Sequence, residues 1–519
     1  MKKSAAATLS NARRSRAKIL SLDELAVQVR ALKQRKKRVV LCHGVFDLMH
    51  VGHIRHFSEA KAMGDALIVT LTPDQHVNKG PHRPAFPQDL RAEVIAALDM
   101  VDYVAINRWP SAVETIELLH PDIYAKGPDY KDAAKDVTGG ISREEEAVLS
   151  VGGELKLTSD ITFSSSNLLN RHMSHYQPAV ERFLEGLRRR HAPDDVAAHI
   201  ESLRRLKVLV VGETILDEYV YCNALGKSSK EPILAMQYLS RDVHAGGALA
   251  VANHVAEFAG SVDLLTYLGT GDSREDFVRS SLKPNVHPSF IIKPDAPTIV
   301  KRRFVEKYQV TKLLEVYEMN DSPLAGEPEN RLCSALTRVG GYDLVIAADF
   351  GHGLITPRAV KALCGKARFL SVMTQINAAN IGFHTISKYP RADYICIQEG
   401  EIRLDHRNRK DDLKMLIEGM AQRLRARAVM VTRGKEGTLF FDRKAGFSQC
   451  PSLAVKVVDR IGAGDSVLAV TSLAVAAGMP TDLIGFLGNL AGAQAVNIVG
   501  NSASISKVAM LKSMESLLK

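Results

Sequence analysis

The sequence predicts an α/β protein of two domains, and three observations carry the prediction. Apolar runs of strand length alternate with helical patterns from residue 38 onward. The alternation lapses in a polar, strand-free stretch after residue 170, and it restarts at "KVLVVGE" (207–213). This is the rhythm of βαβ units and of a parallel sheet covered on both faces. At 519 residues the chain also exceeds what one core usually supports. The expected organisation is a basic leader and helix at 1–35, a first α/β domain at 36–170, a helical connector at 171–205, and a second α/β domain at 206–519.

The leader holds the charge. The chain has a net charge of +10, and residues 1–38 alone contain twelve Lys and Arg against Asp23 and Glu24. A basic tail can meet nucleic acid or an acidic membrane. No aromatic residue interrupts this one, so base stacking has no support and nucleic-acid binding is not expected. Its apolar stretch is too short for a signal-peptide core, and no segment reads as a membrane span. Six scattered cysteines without a CxxC read as reduced thiols, so a cytoplasmic protein without a membrane partner is expected. "SLDELAVQVRALKQR" then reads as a helix capped by Ser21.

The first domain opens with the strand "RVVLC" (38–42), and the loop after it reads "HGVFDLMHVGH" (43–53). Such a loop lies at the carboxyl end of a parallel sheet, where ligands bind. His50 precedes a helix and His53 falls in its first turn, where free N–H groups and the dipole favour anions. As a metal pair the histidines are short of ligands, since Asp47 is the one nearby carboxylate. Taken alone, HxGH is balanced between phosphate chemistry and coincidence.

The surrounding residues add to it. "LTPDQHVNKGPHRP", Arg91 on the following helix, "PDIYAKGPDY" and "FSSSNLL" (163–169) follow in order. Together they resemble the HxGH nucleotidyltransferases, and most of all the adenylyltransferase part of the bifunctional heptose-7-phosphate kinase/heptose-1-phosphate adenylyltransferases. The resemblance implies a Rossmann-like fold and attack of a sugar-1-phosphate oxygen on the α-phosphorus of a nucleoside triphosphate, releasing pyrophosphate. It implies that His50 and His53 stabilise phosphate charge. It also implies nucleotide contacts from Gly44, Phe46, Asp47, Lys79, Arg91, Lys126 and Ser164, Ser165 and Ser166, although Asp47 reads equally as a loop-holding residue. Mg²⁺ is expected to bridge phosphates, with ATP favoured and CTP possible as the nucleotide. Pro128 replaces a glycine of the family's pattern.

In the second domain the sharpest feature is "DRIGAGDSVLAV" (459–470). Gly462, Ala463 and Gly464 permit a turn whose N–H groups face an anion, and Asp465 stands next to it to take a proton from a hydroxyl. With "KVLVVGETILDEY", "HAGGALAVANHVA" and "VTRGKEGTLFFD", this domain resembles the ribokinase-like sugar kinases, again nearest the heptose-phosphate kinases. The resemblance implies a small β lid and places Asp217, Gly246 and Gly247 at the sugar. It implies ATP with Mg²⁺, and a homodimer formed through the lid segments near 218–245.

Departures qualify the match. Ala250 stands for a sugar-contacting Asn, Arg460-Ile461 for two small or hydroxyl residues, Gln398 for the Asn of an NxxE motif, and "MTQINAANIG" for a DPKG strand end. The family's kinase precedes its nucleotidyltransferase, and here the order is reversed. Two readings stay open at this level. One is a bifunctional enzyme that activates a heptose-like sugar for a surface glycan such as lipopolysaccharide. The other is a nucleotidyltransferase whose kinase-like domain is weak, regulatory or dimerising.

Overall fold

The computed structural model describes residues 15–77, 83–127, 140–159, 177–308 and 311–519. The chain divides into two compact units, Met1–His175 with Leu511–Leu517 and Lys519, and Tyr176–Met510 with Leu518. The last helix, Lys507–Leu518, therefore does not fall wholly within the second unit. Among the described residues no helix is long and apolar enough to cross a membrane. All six cysteines are free.

The first unit is built on β1 (Val39–Gly44), β2 (Ala66–Leu71), β3 (Tyr103–Ile106), β4 (Ile123–Lys126) and β5 (Glu154–Leu157). They form one parallel sheet in the order β3-β2-β1-β4-β5. The chain leaves β1 toward β2 and β3 and returns on its other side to β4. The switch point of the topology therefore lies between β1 and β4, beside the loop that carries HxGH.

Alternation along β1 sends Val40 and Cys42 to a core with Leu67, Val69, Phe57 and Ile95. It sends Val39 and Leu41 to a second core with Ile68, Ile116 and Val148. Leu22, Leu25 and Val29 complete this second core from helix Leu22–Gln34, which a capping box between Ser21 and Glu24 starts. The helix grouped above with the leader is thus part of the domain's core. Each of its buried apolar side chains contributes about 2 kcal/mol.

Two helices, Pro178–Arg188 and Pro193–Ser202, each with proline in the first turn, lead into the second unit. Its strands are β6 (Lys207–Gly212), β7 (Thr214–Lys227), β8 (Leu234–Gly247), β9 (Ser261–Gly269), β10 (Val286–Lys293), β11 (Ile299–Glu306) and β12 (Thr311–Glu318). They continue as β13 (Leu344–Asp349), β14 (Leu370–Thr374), β15 (Tyr394–Gln398), β16 (Ala428–Thr432), β17 (Thr438–Asp442) and β18 (Gly446–Cys450). The main sheet runs β10-β9-β6-β13-β14-β15-β16-β17-β18, parallel as far as β16 and antiparallel beyond it. A separate sheet, β12-β11-β7-β8, forms the lid. Helix Ala463–Ala476, which begins with the GAGD segment, is buried along nearly its whole length.

Candidate functional sites

In the first unit, His50 is the N-cap of helix Val51–Ala62, whose first turn holds no acidic residue. The Gly52 N–H donates to His50 Nδ1 at 3.1 Å. In the neutral imidazole this puts the proton on Nε2 and makes it a donor. Burial lowers the His50 pKa and so favours that neutral form. The His53 ring stacks on it, with centroids 3.9 Å apart and planes 22° from parallel. Two imidazolium charges at that separation repel, so the pair is suited to donating hydrogen bonds to an anion that supplies the negative charge. Phe46 backs His53 edge-on at 5.3 Å and packs on Phe57 at 4.9 Å. Phe46 thus supports the histidine from behind. Gly44 ends β1 just before this turn.

Asp47 and Arg91, both expected near the nucleotide, bond to the surrounding loops. Asp47 is buried, and its carboxylate accepts from the Ala85 N–H (2.6 Å) and Phe86 N–H (3.1 Å) and faces Arg83 at 3.5 Å. Arg91 is buried as well. Its guanidinium donates to the carbonyls of Phe86 (3.0 Å), Thr72 (3.0 Å) and Val45, and pairs with Asp74 at 2.6 Å. A helix-borne arginine under three loop segments finds carbonyls before it finds solvent. Arg91→Met should destabilise the unit by about 3 kcal/mol or more, since it strands buried acceptors. Urea unfolding followed by Trp109 fluorescence checks this, because Trp109 is the sole tryptophan and lies in this unit.

Lys126 ends β4, and its ammonium pairs with Glu144 at 2.8 Å, with the Tyr124 hydroxyl donating to the same carboxylate at 3.0 Å. Burial raises Glu144, but Lys126 beside it outweighs that and holds its pKa below the usual carboxylate range. Behind the loop, His43 lies between the hydroxyls of Thr70 (2.9 Å) and Thr72 (3.2 Å). Burial, with the charge of Lys126, takes its pKa down to about 4. Lys79 and Ser164, Ser165 and Ser166 lie outside the described residues.

In the second unit, Asp465 sits in the first turn of helix Ala463–Ala476. Its Oδ1 is buried and has no hydrogen-bond partner among the described residues. Burial first, and then the negative charge of Asp217, raises its pKa to about 7, against the opposing charge of Lys301. That is where a general base works near neutrality. Gly462 caps the helix with φ 79°, and a Cβ there would lie 2.1 Å from Asn501 Oδ1, so only glycine fits. Ala463 and Gly464 follow in the first turn; the Ala463 N–H reaches back to the Arg460 carbonyl at 3.4 Å, and the Gly464 amide stands among the N–H groups without an intrahelical partner.

Asp217 faces this centre from β7. Arg303 donates to it at 2.5 Å and Asn501 at 2.9 Å. Gly246 passes so close that a Cβ would be 2.2 Å from Asp217 Oδ2, and Gly247 turns the chain into helix Ala248–Ala256. Ala250 is buried within that helix. Glu401 is held by the N–H groups of Ile376 and Gln398, each at 3.0 Å. Gln398 itself caps the helix that follows, accepting from Gly400 N–H at 2.5 Å. In the altered strand end, Asn377 and Asn380 both donate to the Phe350 carbonyl at 3.1 Å. The amides there rebuild the loop. Asp465 and Glu401 offer hard oxygen donors that suit Mg²⁺ held chiefly through phosphates and water. Among the described residues no group of three or more His, Cys, Asp or Glu could form a metal cage.

Lys301 and Arg303 were not anticipated. Both are buried on β11, one face of which lies in register with Asp217 and Tyr219 of β7. Alternation in "IVKRRFVE" is the signal that places 301 and 303 together, but only pairing with β7 aims them at Asp217.

Comparison with known proteins agrees with this division. Residues 205–508 match the model of the pfkB family carbohydrate kinases, and residues 41–169 match a cytidylyltransferase-like family. A bifunctional protein HldE of Pelobacter propionicus is 39% identical over 165 residues, covering 31% of this chain and 32% of that protein. The Bradyrhizobium diazoefficiens HldE is 26% identical over 313 residues, covering 59% of this chain and 63% of that protein. The chain thus spans about a third of the length of the first of these relatives. Phosphofructokinase-2 from Escherichia coli in complex with potassium superposes with a TM-score of 0.50 at 15% identity, over 60% of this chain and 100% of that one, which speaks to the fold.

Proposed function

The chain belongs to the pfkB family of carbohydrate kinases and carries a cytidylyltransferase-like domain ahead of the kinase domain, and from this premise we propose a bifunctional sugar-activating enzyme. The observation that supports it is the presence of two separate helix-start anion sites in one chain. One is armed with stacked imidazoles and the other with a buried carboxylate whose Oδ1 has no hydrogen-bond partner among the described residues.

In the second unit, Asp465 takes the proton of a sugar hydroxyl as that oxygen attacks the γ-phosphorus of ATP and ADP departs. The amides of Gly462, Ala463 and Gly464 receive the charge on the transferring group. Asp217, fixed by Arg303 and Asn501, orients the sugar. Mg²⁺, when bound with the nucleotide, neutralises phosphate charge. In the first unit, a sugar-1-phosphate oxygen attacks the α-phosphorus of the nucleoside triphosphate and pyrophosphate leaves, with His50 and His53 donating to the phosphate oxygens. Lys79 and Ser164, Ser165 and Ser166 complete that site on the strength of the resemblance. Lys126 and Arg91 act by holding its walls.

The substrates proposed are ATP and heptose-like sugar phosphates, in a cytoplasmic homodimer. The exposed Leu225, Ile233, Leu234 and Tyr238 of the lid supply apolar surface for a second copy. The test is product analysis by mass after incubation with ATP or CTP and a panel of sugar phosphates. A nucleoside diphosphate sugar with pyrophosphate, and ADP with a phosphorylated sugar, are the expected products. Absence of either product across the panel removes the corresponding half of the reading.

A further inference from the structure

The GAGD loop is preceded by a carboxylate with an unusual load. Asp459 is buried, and its two oxygens accept four hydrogen bonds. Oδ2 takes the Tyr219 hydroxyl and the Gly500 N–H, each at 2.9 Å. Oδ1 takes the Ile461 N–H at 3.1 Å and the Lys312 ammonium at 2.5 Å. Two of these partners, Tyr219 on β7 and Lys312 on β12, belong to the lid sheet. Ile461 belongs to the anion loop.

Lys312 reaches Asp459 through a local irregularity. Along β12, Tyr317 pairs with Lys301 and Glu315 with Arg303, so these two share the face that carries Asp217 and Tyr219. Strict alternation would put Leu313 next on that face and Lys312 on the other. The register shifts between Phe304 and Val305, however, so that Leu314 pairs with Phe304 and Lys312 with Val305. One residue is left over, and the bulge turns Lys312 inward.

The electrostatics say what it does there. A buried carboxylate three residues before the nest opposes a phosphate charge arriving at Gly462, Ala463 and Gly464. Burial alone would raise the Asp459 pKa, but the Lys312 bond and the backbone N–H bonds outweigh it and hold the pKa low, so the residue is ionised and needs a cation.

We propose that Lys312 is a positioning residue that latches the lid sheet to the anion loop, neutralising Asp459 and setting the nest amides when the lid is in place. This rests on the kinase reading above for its effect on turnover. The latch itself can be read without any turnover.

The test uses the full chain with Lys312→Met, Lys312→Arg and Asp459→Asn. Amide hydrogen exchange over 459–466 is measured together with ADP formation from ATP and the sugar-phosphate panel. For Lys312→Met and Asp459→Asn, protection at the loop amides should fall by about 10-fold, with the rest of the second unit unchanged. The kcat should drop by about 10- to 100-fold while KM for the sugar moves little. Lys312→Arg should restore both. Unchanged exchange over 459–466 in both Lys312→Met and Asp459→Asn overturns the latch. So does a loss of protection spread evenly through the unit, which would mark plain destabilisation. Wild-type protein that forms no ADP with any sugar ends the kinase reading, and the exchange comparison still decides the latch. Should Lys312→Met not fold, the isosteric Asp459→Asn carries the same comparison.

Discussion

Asp465→Asn lowers ATP-dependent sugar phosphorylation by about 10²- to 10⁴-fold, the range lost with a positioned general base. Pyrophosphate release by the first unit should keep its wild-type rate. The substitution keeps the shape of a side chain buried at the helix start and removes its ability to accept a proton. Steady-state ADP release, set beside pyrophosphate release from the same preparation, measures both. A pH profile sharpens the result. With the Asp465 pKa raised to about 7 by burial and then by Asp217, the base is protonated and idle below that value. In the wild type kcat/KM should therefore climb with pH and level off above about 7, reporting the free enzyme. The residual activity of Asp465→Asn should lack that limb. Equal losses of both activities in a folded variant would sink the assignment of separate sites.

The second large effect is expected at the stacked histidines. His50→Ala and His53→Ala should each reduce nucleotidyl transfer by about 10²- to 10³-fold, as for a donor aimed at developing oxyanion charge. Phosphorylation by the second unit should be untouched. The two variants differ in what else they disturb. Removing His50 also takes the cap that accepts the Gly52 N–H, so a small stability loss of about 1 kcal/mol accompanies it. Removing His53 leaves Phe46 without the ring it meets edge-on. Trp109 fluorescence during urea unfolding separates these structural costs from the chemical one. A variant that unfolds like the wild type and still forms the nucleotide sugar at full rate would dismiss its histidine from the reaction.

Much of this architecture was legible in the residues, for physical reasons that also explain what was not. Strands such as β1 are buried on both faces and so read as continuous apolar runs. Glycine-bounded turns before helices announce anion sites without tertiary information. The loop contacts of Arg91 are not legible in the residues, because its acceptors come from the separate segments of Val45, Thr72 and Phe86. Asp47 was balanced between two roles, and its bonds to the 85 and 86 amides favour loop-holding. Lys301, Arg303 and Lys312 stayed hidden because their aim depends on β7, β11 and β12 lying in register. Helix Leu22–Gln34 reads with the leader because its neighbours are basic, yet its apolar stripe covers β1.

The bulge in β12 has an evolutionary corollary. Leu313 is a spacer: its presence, and not its chemical identity, sets the direction in which Lys312 points. Drift at position 313 among descendants of this chain is therefore cheap, whereas loss of a single codon there would invert the strand's ending without altering Glu315 or Tyr317. Gap placement in this strand, rather than residue similarity, is the character by which lineages retaining the lid contact would be told from those that have shed it.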